Sequence, residues 1–290
     1  MIATTKLAFF ILCHKTPQQV IRLVERLHDD NSVFVIHVDK RAVQEVHDTL
    51  KSFSDKHPAH VHLCRQRHRC YWGRFGIVEA TLSCIREGLR LELPFDHAFL
   101  LSGQDYPIKS LSDIRSFLDD HVSEEFIESF PADEPNRWTE AEGEHNALHR
   151  VLHWTISFRS RHFRIKWRRR FPFGFRPHGG SMWWCLTKDC VLYIDRFVRE
   201  NPAYARYFRT VFIPDESFFQ SIISNSPYKG RIISDDLRYT DWENPNPHYP
   251  RTLEPEDFDL LMTSSKLIAR KIDERSQELL SLIDREVHGR

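Results

Sequence analysis

The chain has 290 residues, 41% hydrophobic and 28% charged, and its 41 basic side chains are balanced by 41 acidic ones. This composition is typical of a globular protein with a sizeable core, and the zero net charge argues against a nucleic-acid-binding protein, which needs a surplus of lysine and arginine. The six cysteines form no C-x-x-C pair. We expect buried free thiols in a reducing compartment, with one disulfide left open as an alternative.

Apolar runs alternate with amphipathic segments through the first half of the chain. Strands are predicted at 7–13, 33–38, 61–64 and 98–101, and helices at 16–27, 43–53 and 75–91. This order predicts an α/β fold with a mostly parallel central sheet flanked by helices, in a single domain over residues 1–290. The first apolar run is followed by His14 and Lys15 without a cleavage pattern, so it is interpreted as a buried strand and not as a signal peptide.

Polar residues follow these strands at the edge where α/β sheets bind ligands. Asp39 follows the second strand and suits a ribose hydroxyl or a base N–H, but capping the next helix is an equally good interpretation. After the fourth strand, Asp105 in the segment 102–107 suits a sugar hydroxyl, and the alternative is a tight turn that ends at Pro107.

The second half of the chain gives a mixed pattern. Residues 129–150 are polar and predict a long loop. A basic tract follows, for which contact with an anionic membrane or a polyanionic acceptor competes with a solvated loop or helix face. The cations of this tract are Arg159, Arg161, Arg164, Lys166, Arg168, Arg169 and Arg170. Trp183 and Trp184 are candidates for stacking on a sugar ring, although core packing is the default for a Trp-Trp strand, and Trp242 is a candidate wall residue at a sheet edge.

The segment Pro214-Asp215-Glu216 precedes an apolar stripe and predicts the start of a helix, where the dipole favours carboxylates. A carboxylate fixed beside apolar surface can be tuned towards a general base, and the alternative is a simple capping pair.

The only Asp-x-Asp string is 257–259, in a helical pattern, and it is interpreted as surface charge. The 17 histidines show no zinc-type spacing, so we predict no metal. Without a cation, Arg251 and Lys271 become candidate phosphate ligands, although the default interpretation of each residue alone is a solvated surface cation.

Seven short strings, in this order, resemble the core-2/I-branching β-1,6-N-acetylglucosaminyltransferase family, which includes the peptide O-xylosyltransferases. They are 37–41 (HVDKR), 71–73 (YWG), 101–108 (LSGQDYPI), 179–183 (GGSxW), 214–216 (PDE), 237–242 (LRYTDW) and 264–271 (SSKLxARK). The resemblance implies a GT-A-like fold, a UDP-sugar donor, inversion at the anomeric carbon and no metal. It implies a nucleotide-binding half at about 1–125 and an acceptor and catalytic half at about 126–290.

The resemblance also implies roles for single residues. Glu216 matches the general base that activates the acceptor hydroxyl. Arg251 and Lys271 match the basic pair that stabilises the departing diphosphate, and Asp39 matches a contact on the uridine side. Glu128 and Arg137 look like acceptor-site positions, and Asp105 and Trp183 complete the predicted acceptor site.

The chain begins almost at its first strand, which resembles a minimal, bacterial-type member of the family. From this we expect a cytoplasmic enzyme, peripheral at the inner face of the membrane, that glycosylates a surface glycan or its lipid-linked precursor. N-acetylglucosamine is the favoured donor sugar and xylose the alternative. Two other functions stay open: a catalytically silent glycan-binding module of the same fold, and a metal-dependent transferase that uses Asp105.

Overall fold

The computed structural model describes residues 4–142, 144–158, 161–243 and 249–289. Its strands are β1 (Leu7–Cys13), β2 (Ser32–Val38), β3 (Val61–Leu63), β4 (His97–Ser102), β5 (Asp105–Pro107), β6 (Glu125–Ile127), β7 (Phe130–Pro131), β8 (His153–Phe158), β9 (Arg161–Arg168), β10 (His178–Gly179), β11 (Trp184–Thr187), β12 (Ile232–Ile233), β13 (Arg238–Thr240) and β14 (Ile268–Arg270). Its α-helices are α1 (Pro17–Leu27), α2 (Gln44–Lys56), α3 (Gly76–Arg90), α4 (Leu111–Asp119), α5 (Arg137–Glu142), α6 (Glu144–Leu152), α7 (Lys188–Glu200), α8 (Pro202–Phe208), α9 (Phe218–Ser224), α10 (Phe258–Thr263) and α11 (Gln277–His288).

A seven-stranded sheet with the order β12-β6-β11-β4-β1-β2-β3 forms the centre of the fold. Strands β3, β2, β1 and β4 run parallel to one another, and β11 runs antiparallel between β4 and β6. Every residue of β2 and β4 is buried, which explains why the parallel strands appear in the sequence as continuous apolar runs. The predicted α/β class with a mostly parallel sheet is therefore confirmed, and strands from both halves of the chain share this sheet.

Apolar side chains cover both faces of the sheet because neighbouring residues of each strand point to opposite sides. On one face Phe10 meets the ring of Trp184, beneath α3 and α7 to α9. On the other face Phe9 stacks on Phe34 and Phe99 at centroid distances of 5.2 and 5.6 Å, beneath α1, α2 and α4. The chain order reverses between β1 and β4, which are neighbours in the sheet, and such a reversal opens a crevice at the carboxyl ends of the strands.

Two predictions for the second half are wrong. Residues 129–150 were expected to form a loop, but they contain β7, α5 and most of α6. The basic tract was expected as a loop or helix face, yet it contains strand β9, which pairs with β8 in an antiparallel hairpin. Cations and apolar residues alternate along β9, which is the pattern of a strand with two different faces. The number of arginines and lysines drew the interpretation towards a solvated segment instead. Arg159 lies outside the described residues.

The structure shows the state of the cysteines and the apolarity of the helices. All six cysteines are free, and five of them are buried. Cys64 Sγ lies 3.6 Å from Cys84 Sγ. Among the described helices, none combines the length and apolarity that a bilayer span requires.

A smaller sheet, β13-β14-β5, extends the main body, and the carboxylate of Asp284 in α11 fastens it in place. This side chain is 5% exposed and pairs with Arg22 and Arg26 of α1, each at 2.7 Å. It also accepts a hydrogen bond of 2.5 Å from the hydroxyl of Tyr106 in β5. Hydrogen bonds from Arg26, Tyr106 and Arg22 outweigh burial and hold the pKa of Asp284 well below its usual range.

We predict that Asp284→Asn destabilises the fold, because it removes one partner from a nearly buried ion-pair cluster. The expected loss is about 3 kcal/mol at neutral pH, measured by denaturant unfolding. Since the folded pKa is depressed, the stability that Asp284 contributes is present above the unfolded pKa and is lost as the pH falls through the folded one. The difference from the wild type should therefore shrink below about pH 4. A difference that does not change with pH would contradict this assignment.

Candidate active-site cleft

A cleft of about 860 Å³ opens at the carboxyl ends of β1, β2 and β4. His14 follows β1, Asp39 follows β2, and Ser102 and Gln104 lie at the end of β4, so the crevice forms where the chain order reverses. The volume is in the range that accommodates a small-molecule ligand. The second half of the chain supplies the opposite walls through Glu128, Arg137, Trp183, Asp215, Glu216, Arg270 and Lys271, among others.

Glu216 lies in this cleft at the end of a 3-10 turn, Pro214–Glu216, that precedes α9. The expected helix therefore begins two residues later, at Phe218. The side chain of Glu216 is 26% exposed, and Arg150 Nη1 donates a hydrogen bond of 3.0 Å to its Oε2 atom. Burial raises the pKa of Glu216, while the charges of Arg150 and Arg137 act in the opposite direction. The result is a carboxylate with a raised pKa that is still in contact with the cleft.

Asp215 is the second carboxyl group of the turn and is more deeply buried, at 6% exposure. Its Oδ1 atom has no hydrogen-bond partner among the described residues, although the side chain lines the cleft. Burial first, and then the charge of Glu216, raise the pKa of Asp215 to about 7. Two neighbouring carboxyl groups with raised pKa values are a common property of sites that move protons.

Close backbone contacts hold the turn against the sheet. Gly180 N donates a 2.9 Å hydrogen bond to the carbonyl oxygen of Glu216. A Cβ atom on Gly180 would lie 1.9 Å from the carbonyl oxygen of Glu128, so only glycine fits there. Ile213, just before the turn, has φ of 50°, a conformation that β-branched residues rarely adopt and that tends to occur at functional sites.

Glu128 and Arg137 form a bidentate ion pair at the wall of the cleft. Arg137 Nε and Nη2 donate to the two carboxylate oxygens of Glu128 at 3.0 and 2.9 Å. Both residues line the cleft, and the charge of Arg137 also acts on the nearby Glu216. The two positions that the resemblance assigned to the acceptor therefore lie together beside the candidate base.

Cations gather at another part of the cleft wall. Lys271 lines the cleft, and burial, followed by the charges of Arg270 and Lys15, lowers its pKa. Arg270 Nη1 donates to Ser102 Oγ at 2.6 Å and to Asp105 Oδ1 at 3.0 Å. The guanidinium of Arg270 also lies 4.6 Å from the ring centre of Trp183, which is 8% exposed and lines the cleft.

Asp105 lies beneath the cleft and does not line it. The residue is 0% exposed, and its carboxylate accepts hydrogen bonds from Ser102 N at 2.6 Å and from Arg270. Arg238 Nε is 3.7 Å from it, also fully buried. The expectation that Asp105 touches an acceptor or holds a metal must be corrected, because in this position the carboxylate is enclosed by protein donors. Asp105 instead fixes the position of Arg270.

Arg251 is not among the residues that line the cleft. Its guanidinium pairs with the carboxylates of Asp241 and Asp257, each at 2.6 Å. These hydrogen bonds raise the pKa of Arg251. The interpretation of 257–259 as surface charge is also wrong at Asp257, which is 8% exposed and accepts a hydrogen bond from the backbone N–H of Glu254.

Exposed aromatic rings form part of the cleft rim. Trp72, Trp242 and Tyr249 are 43%, 55% and 46% exposed and line the cleft. The suggestion that Trp242 is a wall residue agrees with this position. Rings that are half exposed at a cleft rim suit stacking on a sugar.

Six of the eight predicted site residues therefore lie in one cleft: Asp39, Glu128, Arg137, Trp183, Glu216 and Lys271. The sequence analysis did not identify Arg150, which holds the candidate base, or Arg270, which lines the cationic wall of the cleft. Arg270 directly precedes Lys271, so the argument that made Lys271 a candidate phosphate ligand could have included it. No motif or spacing around Arg150 pointed to the site. Among the described residues, no group of three or more histidine, cysteine, aspartate or glutamate side chains has a metal-binding arrangement. Metal independence stays a prediction.

The comparisons of sequence identify one family. A family model described as Branch, the Core-2/I-Branching enzyme, matches residues 7–262. Xylosyltransferase 2 of Mus musculus is 26% identical and Xylosyltransferase 1 of Rattus norvegicus 25% identical, each over 98% of this chain. The chain spans about a third of the length of these relatives, 34% and 36% respectively. A solved 4-diphosphocytidyl-2C-methyl-D-erythritol synthase from Anaerococcus prevotii is 8% identical, with a TM-score of 0.34 over 68% of this chain and 76% of that one.

We predict that Asp215→Asn changes how stability depends on pH. A carboxyl group whose folded pKa is raised binds more protons in the folded state, so wild-type stability should fall as the pH rises from about 4 to about 7. The variant should lack this fall and be more stable above pH 7 by on the order of 3 kcal/mol. Denaturant unfolding between pH 4 and 8 measures the effect, and Asp259→Asn, at an exposed carboxylate, is the matched control. Parallel pH curves for Asp215→Asn and the wild type would contradict a raised pKa.

Proposed function

The chain belongs to the core-2/I-branching enzyme family of glycosyltransferases, and from that membership and the cleft chemistry we propose that it is an inverting, metal-independent transferase with a GT-A-like fold. It transfers a sugar from a UDP-sugar to a hydroxyl group of a glycan or glycoconjugate. The observation that carries this proposal is the position of Glu216: a carboxylate with a raised pKa, held by Arg150, in the same cleft as Lys271. One end of the site thus accepts a proton and the other receives phosphate charge.

The donor nucleotide lies, in this proposal, across the reversal point of the sheet, with uridine beside Asp39. This residue is 4% exposed and lines the cleft. Its Oδ1 atom accepts a hydrogen bond from Arg41 N at 2.8 Å. The alternative interpretation of Asp39 as a helix cap is wrong, because α2 begins at Gln44 after Val43 and has no side-chain cap. In the proposed complex Oδ2 accepts a hydrogen bond from the base or ribose.

Glu216 acts as the general base in the proposed reaction. The acceptor hydroxyl gives its proton to Glu216 while its oxygen attacks C1 of the donor sugar on the face opposite UDP. The bond between C1 and the β-phosphate oxygen breaks, and its electron pair stays on the departing UDP. A raised pKa makes the carboxylate a stronger base, and Arg150 keeps it ionised and oriented.

Lys271 and Arg270 are suited to the charge that develops on the departing diphosphate. Preorganised cations of this kind stabilise a transition state because their positions need not change during the reaction. The resemblance assigns Arg251 to the same role. Since its guanidinium is held by Asp241 and Asp257, contact with a phosphate requires it to exchange one of these carboxylates for the diphosphate.

On the acceptor side, Glu128 and Arg137 offer a polar wall, and Trp72, Trp242 and Tyr249 offer rings for sugar stacking.

N-acetylglucosamine stays the favoured donor sugar. UDP-xylose is the second candidate, because the relatives named above are xylosyltransferases. A thermal-shift series with UDP-sugars distinguishes them, since the donor that binds the folded state raises its melting temperature. We place the reaction in the cytoplasm, at the inner face of the membrane, with a lipid-linked or surface glycan as acceptor.

We predict that Glu216→Gln lowers the rate of sugar transfer by about 10²- to 10⁴-fold, because the amide keeps the shape of the side chain but accepts no proton. UDP affinity, measured by calorimetry, should stay within about twofold, because Glu216 contacts the acceptor hydroxyl and not UDP in the proposed reaction. A twofold change in affinity is less than about 1 kcal/mol. Glu256→Gln, outside the cleft, is the control and should keep full activity. Near-normal turnover in Glu216→Gln with intact UDP binding would remove Glu216 as the base.

We predict that side chains, and not a divalent cation, meet the diphosphate charge. Lys271→Ala should weaken UDP binding by about 10- to 100-fold, as expected for losing a hydrogen bond to a charged group. Lys229→Ala, at an exposed lysine that does not line the cleft, is the matched control. Wild-type transfer should continue in excess EDTA. Loss of activity in EDTA that Mn²⁺ restores would overturn metal independence, and unchanged UDP affinity in Lys271→Ala would remove this lysine from the site.

A further inference from the structure

The β8–β9 hairpin has an exposed apolar face. Trp154 pairs with Ile165 and Ile156 pairs with Phe163 across the two strands, so these four side chains lie on one side of the ribbon. They are 44%, 40%, 55% and 55% exposed, respectively. Trp167 follows beyond a register shift and is 81% exposed. Large exposed apolar side chains are normal when scattered, but a contiguous group marks an interaction surface.

Arginines alternate with the apolar residues along β9 and continue beyond its end. These flanking arginines start from the other side of the ribbon, as Arg164 does through its pairing with the buried Thr155. Arg164, Arg168 and Arg170 are exposed, and none of the three pairs with a carboxylate in the described part of the chain. Arg169 behaves differently, because its guanidinium lies 3.6 Å from the ring centre of Tyr207 and donates to Thr210 Oγ1 at 2.7 Å. Arg169 thus fastens the hairpin to the end of α8, while the other arginines stay available to an external anion.

The hairpin lies next to the rim of the cleft. The ring of His162 in β9 is 5.0 Å from that of Phe212 and 6.1 Å from that of Trp72, measured between centroids. Trp72 lines the cleft, and Phe212 immediately precedes the segment 213–216 that carries Glu216. The hairpin therefore packs against the rim of the cleft through the side of the ribbon opposite its apolar face.

We propose that the β8–β9 hairpin docks the protein on an anionic lipid bilayer. Trp154, Ile156, Phe163, Ile165 and Trp167 enter the boundary between headgroups and acyl chains, while the flanking arginines bind lipid phosphates. Tryptophan and arginine suit this boundary because each combines apolar surface with a polar group. Each arginine near an anionic surface adds about 1 kcal/mol of attraction.

The size of the face favours a bilayer over a protein partner. A stable protein interface takes about 20 to 30 residues a side, whereas this face offers four large apolar side chains, with Trp167 next to them along β9 and a fringe of arginines. A lipid interface needs no matching shape, so a small apolar group with unpaired cations is sufficient. Docking also specifies the acceptor class: a hydroxyl of a glycan linked to a membrane lipid. That part rests on the proposed function, and the docking itself does not.

The test uses the full chain and two kinds of vesicles, phosphatidylcholine alone and phosphatidylcholine mixed with phosphatidylglycerol. The wild type should sediment with the anionic vesicles only, and less so as salt is added. Replacing three apolar residues together, Phe163→Ser, Ile165→Ser and Trp167→Ser, should weaken this binding at least about tenfold. The pair Arg164→Gln and Arg168→Gln should weaken it by about 30-fold. The pair Val122→Ser and Leu260→Ser, at residues 66% and 51% exposed elsewhere, is the control and should bind normally.

Calorimetry with UDP and thermal unfolding, run on every variant, separate docking from folding and from the proposed reaction. Glu216→Gln should bind vesicles as the wild type does, so loss of transfer and loss of docking are independent results. The proposal fails if the wild type does not sediment with anionic vesicles, or if the hairpin variants sediment with them equally well. It also fails if light scattering shows a wild-type dimer that the triple replacement dissociates, because the face would then bind a second copy of the chain.

Discussion

The cleft depends on one buried carboxylate, Asp105, which joins the main sheet to the small sheet behind it. It accepts a hydrogen bond from Ser102 N, at the end of β4, and another from Arg270 of β14. Arg238 of β13 lies against the same carboxylate and donates to the carbonyl oxygen of Leu100. Removing one partner from such a buried pair leaves a charge that protein atoms cannot solvate, at a cost of about 3 to 5 kcal/mol. Strand β14, which ends at Arg270 and is followed by Lys271, is therefore held in one position relative to β4.

Burial and charge distribute protons unevenly at the acidic end of the cleft. Asp215 and Glu216 are consecutive, and each raised pKa has burial as its largest cause. Within the described part of the chain, an arginine donates a hydrogen bond to Glu216 but not to Asp215. Arg150 thus favours the ionised form of Glu216, while Asp215, with a pKa of about 7, is partly protonated at neutral pH. The negative charge thus rests mainly on the residue that is more accessible from the cleft. This asymmetry is what a single proton acceptor requires.

Residues whose environment is local were predictable from the sequence, and residues whose partners are distant were not. The runs that became β1, β2 and β4 are continuous and apolar because both faces of the sheet are covered, and Asp39 lies at a strand end that the same pattern locates. Asp105 looked equally available, but its burial depends on Arg238 and Arg270, more than 130 residues away. Arg251 is an exception: its partners Asp241 and Asp257 are only ten and six residues away, but the three residues do not share a helix, so no i,i+4 pattern marked the pairing.

Only some residues of the short segments that carry the family resemblance lie in the site. Within 101–108, Ser102 and Gln104 line the cleft, while Asp105 and Tyr106 lie beneath it and bind Arg270 and Asp284. Gly180 is required because the backbone of Glu128 leaves no room for a side chain. A match in these strings therefore identifies a scaffold that presents one carboxylate and a few cations, and it says little about which sugar or acceptor enters.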